Sequence, residues 1–151
     1  MSSFKPQDAG FAARVRASFS RQQAMQTLGI EITALEPGAI ELQMPSNAAY
    51  TQQHGFMHAG IITTALDSAC GYAAFSLMPA DAAVLTVEFK TSLVAPAKGE
   101  RFVIRGQVIK PGRTLTLCEA RAYAIDGGAE KLVATMTGTL MAIYGREGVA
   151  G

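Results

Sequence analysis

The sequence predicts an α+β fold in which an antiparallel sheet of about six strands wraps around one apolar helix. Three observations lead there. Residues 58–78 make a very apolar run that begins H-A-G and holds a single charge, Asp67. Beyond Asp81 the apolar period changes to two, in four successive runs joined by short turns, most simply an antiparallel meander. Two shorter β-type runs before the helix flank Pro37-Gly38, a turn dipeptide. A sheet with one buried face needs a cover, and only the apolar helix is hydrophobic enough to supply it.

In chain order, residues 8–28 read as an amphipathic helix, with Phe11, Val15, Phe19 and Leu28 on one face and Gly29 at its end. Arg14, Arg16 and Arg21 fall on its solvated side. The hairpin I-E-I-T-A-L-E and A-I-E-L-Q-M-P follows, then a polar stretch from Ser46 to His58, then the central helix over 58–78, which Pro79 helps to end. Leu85, Val87 and Phe89 alternate with polar residues in the first run of the sheet, and Phe102, Ile104 and Val108 do so in the second. The third run spans Thr114 to Ile125 and the fourth Leu132 to Tyr144. Residues 144–151 read as a loose tail.

Composition narrows the function. The 151 residues suit one domain, 1–151, and 49% hydrophobic with 17% charged residues describes an ordinary globule. A net charge of +1 gives no clustered basic face for nucleic acid. The apolar run is long enough for a membrane span, but threonines, serines, Gly71 and Asp67 dilute it, so a buried core helix is the expectation. The start of the chain lacks a signal-peptide pattern. Cys70 and Cys118 have no metal-type spacing and read as reduced, buried thiols of a cytoplasmic protein. No metal and no cofactor is implied.

Between Glu41 and Asp81 the only acidic or basic side chain besides the two histidines is Asp67. On a helix it lies beside Thr63, Thr64, Cys70 and Gly71, a small and partly polar stripe that leaves room for another molecule. A buried carboxylate must be paired, protonated or at a solvent-reached cleft. The helix start, with Gly55, His58, Ala59 and Gly60, offers backbone N–H groups to an anion or a developing oxyanion. Ala59 and Asp67 are separated by about 12 Å of helix at 1.5 Å per residue, too far for both to grip one carbon from the same chain. If they act together, two antiparallel copies of the helix must meet at a two-fold interface, giving a homodimer with two composite sites.

The segment H58-A-G-I-I-T-T-A-L-D67-S-A-C-G71, with V84-L-T-V-E-F-K-T-S-L-V-A-P96 and the K110-P-G-R-T turn, resembles the PaaI-like, phenylacetate-degradation type of hotdog-fold acyl-CoA thioesterases. The resemblance spans about residues 28–143 and implies hydrolysis of an acyl-CoA to a carboxylic acid and coenzyme A, which enters as part of the substrate. It implies a homodimer and leaves open whether dimers pair into a dimer of dimers, or homotetramer. It implies that Asp67 is nucleophile or general base, that the N–H groups of Ala59 and Gly60 polarise the thioester carbonyl, and that His58 orients that region. Gln52 falls near the attacking water or thioester, and Thr86 is a hydroxyl that can hold the water, from the same or the partner subunit. Ala59 departs from the family's usual glycine.

The same resemblance assigns Gly55, Phe75, Val87 and Glu88 to substrate contact, and Lys110, Gly112, Arg113 and Thr114 to the nucleotide and phosphates of coenzyme A. His54 reads as structural or at the pocket mouth. Phe56, Met57, Phe75 and Met78 favour a hydrophobic acyl or aryl group. Two alternatives stay open: a hotdog hydratase acting on an enoyl-CoA, and a non-catalytic acyl-CoA binding protein.

Overall fold

A computed structural model describes residues 3–151. Two short helices, α1 (Phe11–Arg21) and α2 (Gln23–Leu28), precede the hairpin β1 (Glu31–Glu36) and β2 (Ala39–Pro45). A 3-10 turn at Ala48–Tyr50 leads to the central helix α3 (Ala59–Phe75). The strands β3 (Ala83–Leu93), β4 (Arg101–Lys110), β5 (Leu115–Asp126) and β6 (Ala129–Ile143) complete one antiparallel sheet in the order β1-β2-β4-β5-β6-β3. The sheet wraps α3 in the hotdog arrangement, and α3 touches β2, β3, β4, β5 and β6.

The meander expected after Asp81 is only partly present. β4, β5 and β6 follow one another, but β3 lies beyond β6, and β4 pairs instead with β2. The link 94–100 permits this. Fully extended it reaches roughly 23 Å at ~3.3 Å per residue, against about 14 Å for three strand spacings. β3 is therefore an edge strand.

α3 sits close to the sheet because both contribute small residues. Ala65, Ala69 and Ala73 on the helix and Ala120, Ala122 and Ala124 on β5 are buried, and a Cβ at Gly106 would fall 2.7 Å from the backbone carbonyl of Ala69. Larger side chains fill the flanks: Ile62, Leu66 and Phe75 from α3, Leu42 and Met44 from β2, Phe102 and Ile104 from β4, and Met136 and Leu140 from β6. Among the described residues no helix is long and apolar enough to cross a membrane.

Three boundaries depart from expectation. The helix expected over 8–28 breaks at Gln22, whose ψ of 104° is extended while its side chain turns inward to Ser68 and Tyr72. The central helix ends at Phe75 rather than 78. There Arg14, expected on a solvated face, is half-buried, stacks over the Phe75 ring and donates to the carbonyls of Phe75 and Met78. A cation at the last turn satisfies carbonyls that have no helical partner. The tail also returns to the body: Arg21 donates to the Gly151 carbonyl at 2.5 Å, and Ala150 and Gly151 line a cavity beside Asp67.

Candidate active site

Asp67 is half-buried on the side of α3 that faces β3. The Thr86 hydroxyl donates to its Oδ1 at 2.7 Å, within one chain. Oδ2 accepts no hydrogen bond from the described residues, so one oxygen is held and the other is unpartnered. The sheet register changes at this point: Thr86 pairs with Leu140 and Glu88 with Thr139, leaving Val87 as the extra residue of a bulge. Such a bulge re-aims side chains locally. Asp67 and Thr86 border a cavity of about 210 Å³ with Ser18, Gln22, Gly71 and Tyr72.

The start of α3 is organised by His58, its N-cap. His58 Nδ1 accepts the Gly60 N–H at 2.9 Å, and its carbonyl accepts from Ile61 and Ile62. An accepting Nδ1 carries no proton, which fixes the neutral tautomer on Nε2. Of the first four N–H groups of α3, three are thereby engaged, and Ala59 is the one with no partner among the described residues. Ala59, with Gln52, Phe56 and Met57, lines a second cavity of about 440 Å³. None of the described residues borders both cavities.

Gln52 shapes this loop: its Oε1 accepts the N–H groups of His54 (2.5 Å) and Phe56 (3.3 Å). Gly55 supplies the left-handed turn, φ 82°, and has open space around it rather than a close approach. His54 is exposed.

The sequence profile of the Thioesterase superfamily matches residues 54–131, which contain His58, Ala59, Asp67, Thr86 and the 110–114 turn. The chain belongs to the thioesterase superfamily. It is 30% identical over 105 residues to a presumed esterase of Saccharolobus solfataricus, covering 70% of this chain and 74% of that protein. A solved thioesterase family protein from Silicibacter pomeroyi is 62% identical, with a TM-score of 0.89, over 90% of this chain and all (100%) of that one. The E. coli PaaI protein of the phenylacetic acid degradation operon shares the fold, with a TM-score of 0.81 at 19% identity over 92% of this chain and 97% of its own.

Within this thioesterase-family chain the other candidates are scattered. Phe75 is fully buried and borders the Asp67 cavity. Val87 is 53% exposed at the bulge, and Glu88 accepts from the Thr139 hydroxyl. Lys110, Gly112, Arg113 and Thr114 form the exposed β4–β5 turn, outside both cavities. Gly112 is required there, since a Cβ would fall 2.0 Å from the Leu115 carbonyl oxygen. Neither Lys110 nor Arg113 makes an ion pair among the described residues. Cys70 and Cys118 are free and buried, and burial pushes both thiols up, Cys118 to about 12. No group of three metal-binding side chains occurs among the described residues.

The sequence reading missed Ser18, Gln22, Ser68 and Tyr72. Ser68 and Tyr72 lie four residues apart and share a face with each other, but they fall outside the i+3 and i+4 positions of Asp67, so its own stripe did not reach them. Gln22 carried no signal, because its inward turn depends on a helix break that tertiary contacts make.

Proposed function

We propose that the protein hydrolyses an acyl-CoA thioester to a carboxylic acid and coenzyme A, at two composite sites of a homodimer. The observation that carries this reading is the Asp67 carboxylate, held at one oxygen by Thr86 and open at the other, in a chain of the thioesterase superfamily. Water adds its oxygen to the carbonyl carbon, the carbon–sulfur bond breaks, and the thiolate leaves. Asp67 takes the proton of the attacking water or attacks the carbonyl itself. The Ala59 N–H is the donor available to the oxyanion, while the Gly60 N–H first has to leave His58 Nδ1.

The dimer is supported by β3. This 11-residue edge strand exposes Leu85, Val87, Phe89 and Leu93, and an exposed apolar edge is a template for pairing with another chain. Two-fold pairing of β3 with its copy brings two α3 helices together, setting Asp67 of one near Ala59 of the other. The unpaired Lys110 and Arg113 suit the phosphates of coenzyme A. The free, buried cysteines support a reducing compartment such as the cytoplasm.

Thiol release from a panel of aliphatic and aromatic acyl-CoAs tests the reading. Release by the wild type that Asp67→Asn abolishes supports it. Water addition to an enoyl-CoA without thiol release, or binding without turnover, overturns it.

A further inference from the structure

The cavity beside Asp67 has a polar far wall that the hydrolysis itself does not use. Ser68 Oγ donates to Gln22 Oε1 at 3.2 Å, Gln22 Nε2 donates to Tyr72 Oη at 3.3 Å, and the hydroxyls of Ser18 and Tyr72 share a hydrogen bond of 3.2 Å. All four residues border the cavity. Ser68 and Tyr72 are buried, and Ser18 and Gln22 are half-buried.

Donors and acceptors in this chain do not balance. Only one proton lies between Ser18 and Tyr72, so whichever hydroxyl donates, the other keeps a proton with no partner in the array. The Gln22 amide keeps its second N–H as well. The wall therefore offers two donors to a guest. An apolar guest would strand them out of water, and an oxygen would satisfy them.

The path from Asp67 to this wall is open. Gly71 lies between them on α3, and a Cβ there would meet nothing within 4 Å. From Asp67 to Tyr72 the helix rises roughly 7.5 Å. A dry cavity of ~150 Å³ admits benzene, so one of about 210 Å³ takes a short acyl group of about six carbons. Half of the wall, Ser18 and Gln22, comes from α1 and the α1–α2 break, outside the residues 54–131 that match the superfamily profile.

We infer that this cavity receives the far end of the acyl chain, and that Gln22, Tyr72 and Ser18 select short acyl groups carrying a hydroxyl or carbonyl oxygen. The inference rests on the thioester reading above and adds the acyl class to it.

The test measures kcat/KM by thiol release on two matched pairs in which a methyl replaces the hydroxyl: 3-hydroxybutyryl-CoA against isovaleryl-CoA, and 6-hydroxyhexanoyl-CoA against heptanoyl-CoA. The wild type is expected to favour the hydroxylated member of at least one pair by about tenfold or more, the value of one well-made hydrogen bond. Tyr72→Phe keeps the ring against Phe19 and removes only the hydroxyl. Tyr72→Phe and Gln22→Leu are each expected to reduce that ratio about tenfold, with unfolding midpoints showing that both fold. Gly71→Leu is expected to reject the longer pair. Equal rates within both pairs overturn the inference while leaving the thioesterase reading standing, and the wild-type ratio decides this without any variant. A ratio that Tyr72→Phe and Gln22→Leu leave unchanged also overturns it. No thiol release from any of the four, with release from another acyl-CoA of the panel, overturns the inference alone, and no release from the whole panel overturns both.

Discussion

The hydroxyl of Thr86 on β3 holds Oδ1 of Asp67 on α3 at 2.7 Å, and both belong to the same chain. A hydroxyl on the edge strand thus holds one carboxylate oxygen and leaves Oδ2 without a partner among the described residues. Thr86→Val, which keeps the branched shape and deletes the donor, is expected to lower kcat about tenfold or more, whereas Thr86→Ser restores most of it. Steady-state thiol release on both variants checks this, and equal rates in wild type and Thr86→Val would remove Thr86 from the site.

Ala59 is the first residue of α3, and His58 before it has φ −58° and ψ 137°, a conformation that proline tolerates in its predecessor. Ala59→Pro therefore deletes one N–H with little damage to the helix. Turnover is expected to fall roughly 10²–10³-fold, the usual effect of losing an oxyanion donor, with thermal stability close to wild type. Equal mixing of refolded Ala59→Pro and Asp67→Asn subunits is expected to restore about a quarter of wild-type activity, because half the dimers then hold one intact composite site. Zero recovery despite verified subunit exchange would refute the two-chain arrangement.

Phe89 projects from the exposed edge strand. Phe89→Lys places like charges across the two-fold axis and is expected to give folded monomers that release no thiol, as read by sedimentation velocity, circular dichroism and the assay together. Monomers that remain fully active would contradict composite sites.

Gly106 touches the backbone of Ala69 with no room for a methyl group. Gly106→Ala is expected to push α3 from the sheet and destabilise the fold by about 1–3 kcal/mol in urea unfolding. An unchanged midpoint would show that the helix–sheet spacing yields more easily than its packing implies.

Burial raises the thiols of Cys70 and Cys118 above their ordinary value of 9.0. A raised folded-state value means stability that is complete below the unfolded value and is lost as pH rises beyond it. The unfolded chain releases these protons above about pH 9 while the folded chain retains them. Stability is expected to fall between pH 9 and about 12, by up to ~1.4 kcal/mol per pH unit for each thiol. Cys118→Ala should show a shallower alkaline decline than wild type in thermal melts at stepped pH, and identical slopes would exclude this cause.

Local pattern alone determined the elements. The period-two runs after Asp81 gave the strands, the apolar run gave α3, and the isolation of Asp67 marked it as a candidate, since each of these follows from side chains a few residues apart. Helical rise was enough to separate Ala59 from Asp67, and their separate cavities agree with that distance. What neighbours in sequence do not encode, the tertiary structure decided. β3 crossed to the far edge of the sheet, which the length of the 94–100 link permits, and β4 pairs with β2 instead. That crossing brought Thr86 to Asp67. The helix breaks at Gln22, where the side-chain amide bonds to Ser68 and Tyr72, more than forty positions away. His58 became a cap for Gly60 and left Ala59 as the open donor, a division among hydrogen bonds that residue identity does not specify until the loop before α3 is fixed.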